Sequence, residues 1–440
     1  VGAYLQLFKD LFLIITTGYI VFLFLADYKK ALIWYLLFFA FISVLGFNRV
    51  IYFENLVIPL MLLLVLLFKP ARIAKPNVVY FILFIYMVLL TYLNGLSVSE
   101  SYSRGTYLFI ILLIYSKHLF SNSDYAIKIL ILIWIIIVGI AFSFLIYGEE
   151  LLSVSNIDSE SRDMILDTGI KGSAAGDKGA DLNYFSSGQA IGAVLSIMMF
   201  LYRKTLFQKV SFPSLIKQIL NSKLFSKVLL VITSLQIWFV FRGLSRGGLF
   251  VLIAGLITLI YLQKKKIYIL YGVIFLLILF FIMNQVGIID LLMERIESDE
   301  TGGTSGRNLI WIGIFGSVFQ EGGILQILFG RGIDWPWWEF WSDNIFGSKE
   351  IASTHNQWLS IFVNVGLFGL ILFLIPIVKA IGNSLKNPNP INNIRVVLFA
   401  CFFAMTLSLE PLVFTRYTWF IVALAATYTP NFNRINETNQ

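Results

Sequence analysis

Cysteine, histidine and charge are all scarce in this chain. Its single cysteine, Cys401, sits inside an apolar segment, so no intrachain disulfide can form. It has two histidines, and charged residues make up only 13% of the 440. No Gly-x-x-x-x-Gly-Lys-Ser/Thr loop occurs, which excludes a nucleotide-driven pump of that kind. Carboxylates gather only as "ESDE" at 297–300 and "DSE" at 158–160, in polar stretches that read as solvated surface. Neither a metal nor a cofactor is therefore expected. The apolar segments are solid blocks rather than short alternating strands, which excludes a β-barrel. No repeat of fixed period and no low-complexity tract is visible.

What the chain has instead is apolar sequence. Hydrophobic residues make up 58%, mean hydropathy is +0.83, and runs long enough to cross ~30 Å of hydrocarbon recur throughout. The expected fold is an all-α polytopic membrane protein, with residues 1–440 forming one integral membrane domain. Spans are expected at 8–26, 31–47, 51–68, 78–93, 105–120, 126–147, 183–202, 227–241, 247–263, 267–286, 356–378, 396–409 and 413–428. Thirteen spans put the N-terminus outside and the C-terminus inside, with the first span acting as an uncleaved signal. Twelve result if residues 1–26 lie in the interface or if one of the last two short segments does not cross.

The net charge of +8 has its plainest reading in this setting, and nucleic acid is not expected as a partner. Lysines cluster in alternate connections: 27–30, 69–77, 203–227, 264–266 and 379–395, the last with Lys379, Lys386 and Arg395. The positive-inside rule makes these cytoplasmic. The opposite side carries a Gly-, Ser- and Asp-rich loop at 148–182 that reads as mobile. It also carries a large loop at 287–354 with apolar stretches at 309–319 and 324–329 and the cluster "DWPWWEFW" at 334–341. Tryptophan favours the membrane boundary, so the large loop is expected to be structured and to fold onto the bilayer surface.

On that side the short turns hold arginine and no lysine, and the large loop sets three arginines against one lysine, Lys349. Arg49, Arg104, Arg242, Arg246 and Arg416 occupy short turns, and Arg295, Arg307 and Arg331 lie in the large loop. Each opposes the orientation rule, and each has a plain alternative: snorkelling to lipid phosphate, or pairing with Glu54, Glu100, Glu297 or Glu410. As a set they suit a shared anionic ligand, since the guanidinium grips phosphate bidentately and stays charged. A diphosphate-linked lipid is the natural candidate. "FRGLSRGGLF" at 241–250 puts Arg242 and Arg246 at a tight, glycine-rich turn opening a helix, where free N–H groups favour phosphate. Helix-packing glycines are the alternative there. "GGTSGRNLIW" at 302–311 sets Arg307 in the same way.

One of the two histidines, His355, stands between Ser353-Thr354 and Asn356 at the entry to a span. This is a capping environment, and a histidine there needs no further role. The alternative is a general base: the positive end of a helix keeps the ring neutral, the state that can deprotonate a sugar hydroxyl. His118 falls near an inner boundary and carries no assignment.

The spacing His355-Asn356, nine residues, Gly366, two residues, Gly369 resembles the signature of the bacterial O-antigen polymerase and O-antigen ligase superfamily. "SRGG" at 245–248 and "SGRNLIW" at 305–311 resemble its two arginine motifs, and "DLNYFSSGQAIGAVLSI" at 181–197 is similar to its mid-chain helix entry. The resemblance covers roughly residues 180–380. It implies a GT-C-like, metal-independent glycosyltransferase of the bacterial inner membrane, facing the periplasm. Such an enzyme takes glycan from undecaprenyl diphosphate with inversion. It also implies His355 as the base, Arg246 and Arg307 on the diphosphate, and Asn356 in the glycan-binding set. The charge argument adds Arg242, Arg331 and Arg416. Implied partners are the lipid-linked glycan, membrane lipid and a chain-length regulator protein. The loop before His355 is shorter than in many ligases, which favours a polymerase joining lipid-linked repeat units. A ligase acting on lipid A–core and a flippase for the same lipid-linked glycan are the rivals.

Overall fold

The computed structural model describes residues 77–96, 101–152, 182–242, 245–263, 307–316, 323–333, 356–407 and 416–429, with a few isolated positions. The expected spans 8–26, 31–47, 51–68 and 267–286 lie almost wholly outside the described residues, as does most of the 148–182 loop. The described residues form an all-α polytopic membrane protein. Their helices are α1 Val78–Leu93, α2 Ser101–Phe120, α3 Ser123–Leu152, α4 Leu182–Gln208, α5 Ser214–Asn221 and α6 Lys223–Arg242. They continue with α7 Arg246–Leu262, α8 Arg307–Gly316, α9 Gly323–Phe329, α10 Gln357–Lys386, α11 Pro390–Thr406 and α12 Arg416–Ala425. Ser123–Phe142, Asn183–Gln208, Lys223–Phe241 and Gln357–Lys386 are each long and apolar enough to cross a membrane. Exposed Leu230, Val231, Ile257, Tyr261 and Val378 make the outward surface apolar, as lipid contact requires.

The hub is α4, which packs against α3, α6, α7 and α11. Small residues let its neighbours approach, because without a hydrophobic drive helices associate in lipid by close packing. A Cβ on Gly192 would meet Ile137 at 2.6 Å as well as the Gln236 amide, and one on Gly188 would meet the Tyr417 hydroxyl at 2.5 Å. On α7, a Cβ at Gly255 would lie 2.5 Å from Cys401 Sγ and 2.8 Å from Val194. Polar side chains add directionality. Ser196 Oγ donates to Gln236 Oε1 or to Gly192 O, both at 2.9 Å, and accepts from Trp134 Nε1 at 2.7 Å, joining α3, α4 and α6.

The helices alternate between a lysine-rich and a lysine-poor end. Two stretches expected as loops at the lysine-rich end are largely helical. Within 203–227, α4 continues to Gln208 and α5 follows, an eight-residue helix with Leu215, Ile216 and Ile219 exposed on one face, as an interfacial helix presents them. Within 379–395, α10 runs to Lys386 and α11 begins at Pro390, so the true connection is Asn387–Asn389. Arg395 is accordingly no loop cation. It is 1% exposed, and its Nη2 donates to Phe120 O at the end of α2 while Nη1 donates to Asn392 Oδ1 at 3.4 Å. A cation at a helix C-terminus satisfies both the free carbonyls and the dipole.

The short α12 has ten residues, about 15 Å of helix, too little to cross alone. It is entirely wrapped by protein from Tyr417 to Ala425, so its backbone need not be helical to be satisfied. Residues 427–429 extend it until Thr429 N reaches Asn392 Oδ1 at 3.3 Å and Thr429 Oγ1 reaches Ser121 O at 3.4 Å, beside Arg395. The segment therefore does run between the two ends.

Arg395→Ala removes the cap on α2 and leaves the Phe120 carbonyl unsatisfied. It is expected to destabilise the protein by about 1.5–3 kcal/mol, read as earlier thermal unfolding in detergent. Arg395→Lys, which keeps the charge but loses the fork, should recover only part of this.

Candidate functional site

At the lysine-poor end, α7 is entered through Ser245. Its side chain is buried and accepts from Gly248 N at 3.2 Å, capping α7. Arg246 is the first helical residue, half-buried. Gly248 packs directly onto Ser186 of α4, leaving no room for a Cβ, and Ser186 Oγ donates to Val240 O at 3.0 Å. The turn that presents Arg246 is thus pinned to the hub from both sides. The expected motif at 181–197 supplies this pin: Ser186 holds the turn, and Gly188 and Gly192 admit α12 and α6.

The start of α10 is similarly fixed. Asn356 caps it, its Oδ1 accepting from Trp358 N at 3.0 Å and Leu359 N at 3.1 Å, while Nδ2 donates to Leu407 O at 3.5 Å. Gln357 N donates to Leu409 O at 3.2 Å. Asn356, expected to bind glycan, thus has both polar groups engaged in holding the helix start against the end of α11. His355 precedes this cap and lies outside the described residues.

Gly366 lies nine residues into α10 and has φ 66° and ψ −174°, a conformation essentially reserved for glycine. The helix is broken there into two halves. Against the break runs the strap Gly330–Ile333, which follows α9. Arg331 N donates to Val363 O at 3.3 Å, Gly332 N to Asn364 O at 2.8 Å, and Ile333 N to Thr91 Oγ1 of α1 at 3.2 Å. Gly330 has φ +74°, and a Cβ on it would lie 2.5 Å from Gly366 N. The two glycines exist so that two backbones can touch. The arginine between Gly330 and Gly332, half-buried, is one of those expected to hold anion.

The large loop is expected to lie on the bilayer surface; its described helices pack one face on protein and leave Ile312, Phe315, Ile324 and Leu325 exposed, while the tryptophan-rich 334–341 lies outside the described residues. Ile314 and Trp311 of α8, with Ile327 of α9, join Leu359, Val363 and Phe362 of α10 in one apolar cluster. Burial of these residues sets Trp311 and Ile314 of α8, the helix that begins at Arg307, against the first half of α10. Arg416 opens α12, and Arg242 closes α6. Three expected anion-binding residues, Arg246, Arg307 and Arg416, are therefore each the first residue of a helix.

An apolar groove of about 340 Å³ opens one turn along α7 from Arg246. Phe250 and Ala254 of α7, Phe399 and Phe403 of α11 and Ile381 of α10 line it, and it extends to Leu407, whose carbonyl meets Asn356.

Residues 229–374 match the protein family described as O-antigen ligase. This stretch, about a third of the chain, is similar to the O-antigen ligase and polymerase superfamily. Members of the family are glycosyltransferase-like enzymes that act on lipid-linked glycans. No curated protein and no solved structure matches the chain. The family segment runs from Leu229 in α6 to Leu374 in α10 and takes in Arg242, Arg246, Arg307, Arg331, His355, Asn356 and Gly366. Arg416 and the hub helix lie outside it. Sequence reasoning missed Ser186, Tyr86 and Thr91, whose parts in the site are backbone contacts between distant segments that no local pattern announces.

Gly366→Ala requires a conformation costing about 1–3 kcal/mol in any non-glycine residue, before the clash of its Cβ with Gly330 N and Leu328 O at 2.5 Å. Gly382→Ala, on the same helix with nothing within 4 Å of its Cβ, should be neutral or stabilising by up to about 1 kcal/mol. Thermal unfolding of the two variants in detergent should separate them clearly.

Proposed function

We propose that the protein is a polymerase of surface polysaccharide, in a bacterial inner membrane with its site facing the periplasm. It transfers glycan from undecaprenyl diphosphate to the non-reducing end of another lipid-linked repeat unit. The observation that carries this reading is an apolar groove that begins one turn along α7 from Arg246 and reaches Leu407, whose carbonyl meets the capped entry of α10. A helix N-terminus and an arginine together favour phosphate. The groove suits an isoprenoid tail, so one amphiphile fits both.

In this reading His355 takes the proton of the acceptor hydroxyl. The hydroxyl oxygen bonds to the anomeric carbon from the face opposite the leaving group. The bond between that carbon and the phosphate oxygen breaks, and undecaprenyl diphosphate departs carrying the electron pair. Arg246 and Arg307 hold the diphosphate, with Arg242, Arg331 and Arg416 around them, and their charge stabilises what develops on the leaving oxygens. No metal is assigned a part.

The family's description as O-antigen ligase favours a second reading, in which the acceptor is lipid A–core. The donor chemistry is the same. Purified protein in nanodiscs, given only undecaprenyl-diphosphate-linked repeat units, should make a ladder of products on a gel. His355→Ala, shown to be folded and inserted, should abolish it, and Arg246→Ala should lower the rate by at least about a hundredfold, as loss of one charge-stabilising donor does. Transfer only when lipid A–core is added means a ligase. Full activity in His355→Ala overturns the assignment of that residue as the base, whereas no covalent product in either case leaves flipping of the lipid-linked glycan as the reading.

A further inference from the structure

The break in α10 frees carbonyls in the middle of an apolar bundle, and each of the three before Gly366 is met from outside the helix. Val363 O and Asn364 O accept from the strap, and Val365 O lies 3.1 Å from the hydroxyl of Tyr86 on α1. The same hydroxyl also reaches Phe329 O, the last carbonyl of α9 before the strap begins. With one proton and two carbonyls facing it, Tyr86 Oη joins α9 to the broken helix at a single point. Its ring packs edge-on against Phe368 at 5.3 Å, and Phe368 in turn meets Phe329 at 6.3 Å.

The far end of the strap is held with equal care. Thr91 Oγ1, fully buried, accepts from Ile333 N and lies 2.9 Å from Tyr107 Oη. Gly330 N donates to Gln326 O at 2.7 Å. Every backbone N–H from Gly330 to Ile333 therefore has a partner, and those partners come from α9, α10 and α1. A loop residue on an extended, glycine-flanked strand is ordinarily mobile. Here the Cα of Arg331 is clamped to the same half-helix whose cap follows His355.

We infer that Tyr86 is a positioning residue: it locks the strap into the Gly366 break and thereby fixes where Arg331 stands relative to the start of α10. This rests on Arg331 being one of the groups that hold the lipid diphosphate. The half-helix 357–365, the strap and α9 then act as one unit. Gly366 is the joint that lets this unit sit at its own angle to the rest of α10. Tyr86 acts on substrate only through Arg331.

The test uses the full chain in nanodiscs and undecaprenyl diphosphate as the probe. Tyr86→Phe keeps the ring contact with Phe368 and removes only the hydroxyl, so it avoids the folding penalty of a glycine substitution. It should weaken binding of the probe by about tenfold, as the loss of one hydrogen bond implies. In an Arg331→Ala background the same change should have almost no further effect, because the residue it positions is gone. Spin labels at Ile324→Cys on α9 and Val378→Cys on the far half of α10 should give a narrow distance distribution in the parent and a broad one with Tyr86→Phe. Equal losses with and without Arg331, or an unchanged distance distribution, overturn the positioning role. If the parent protein binds no undecaprenyl diphosphate, the proposed function itself fails, an outcome distinct from parent binding with additive variants.

Discussion

Backbone carbonyls inside hydrocarbon must be given partners, and the lysine-poor end of this protein is organised around three that a broken helix exposes. Val363, Asn364 and Val365 precede the Gly366 break, which costs their carbonyls their partners within the helix. Bringing donors to them requires a strap with two glycines, a hydroxyl from α1 and a short helix to deliver the strap. Those requirements account for the packing of α9 on α10 and for Gly330 and Gly332. Arg331 arrives at the site as a consequence of this accounting. A straight α10 would have needed none of these parts and would have left the arginine on a free loop.

The hub shows the same economy with side chains. Along α4, Gly188, Gly192 and Ser196 fall about one turn apart with Ser186 just before them, and each of the four meets a different neighbour: Gly248 of α7 for Ser186, then Tyr417 of α12, Gln236 of α6, and Trp134 of α3. A bulky side chain at any of these positions would push one helix outward. The resemblance of 181–197 to a family motif thus has a packing explanation. That stretch need not touch substrate to matter, since it sets the turn that presents Arg246.

Much of the fold was legible because solid apolar blocks have few meanings: α1 and α7 begin and end within a residue or so of the expected 78–93 and 247–263. The errors fell where lysine and arginine were taken to end helices. Long cationic side chains snorkel, so α4 and α10 run on past the apolar block into Arg203, Lys204, Lys379 and Lys386. Arg395 was illegible for a related reason: charge alone does not tell a solvated loop cation from a buried cap, and its partner is a carbonyl 275 residues away. The arginine motifs and Gly366 could be found by spacing. That Gly366 breaks a helix could not, because glycine within a membrane span is equally at home as a packing residue, the part Gly192 and Gly255 play.

The placement of Arg246, Arg307 and Arg416 at the first position of three helices is unfavourable in isolation. Each sets a cation against the positive end of a helix dipole, where acidic residues would be the stabilising choice, and none of these first turns contains one. The repulsion is relieved if an anion lies between: a phosphate can draw on the free N–H groups and the guanidinium at once, and the two then reinforce rather than oppose each other. In the proposed reading, that anion is the diphosphate of the lipid-linked donor. The lysine-rich end resolves its electrostatics the other way, with Arg395 at a helix C-terminus, where the cation and the dipole already agree and no ligand is called for.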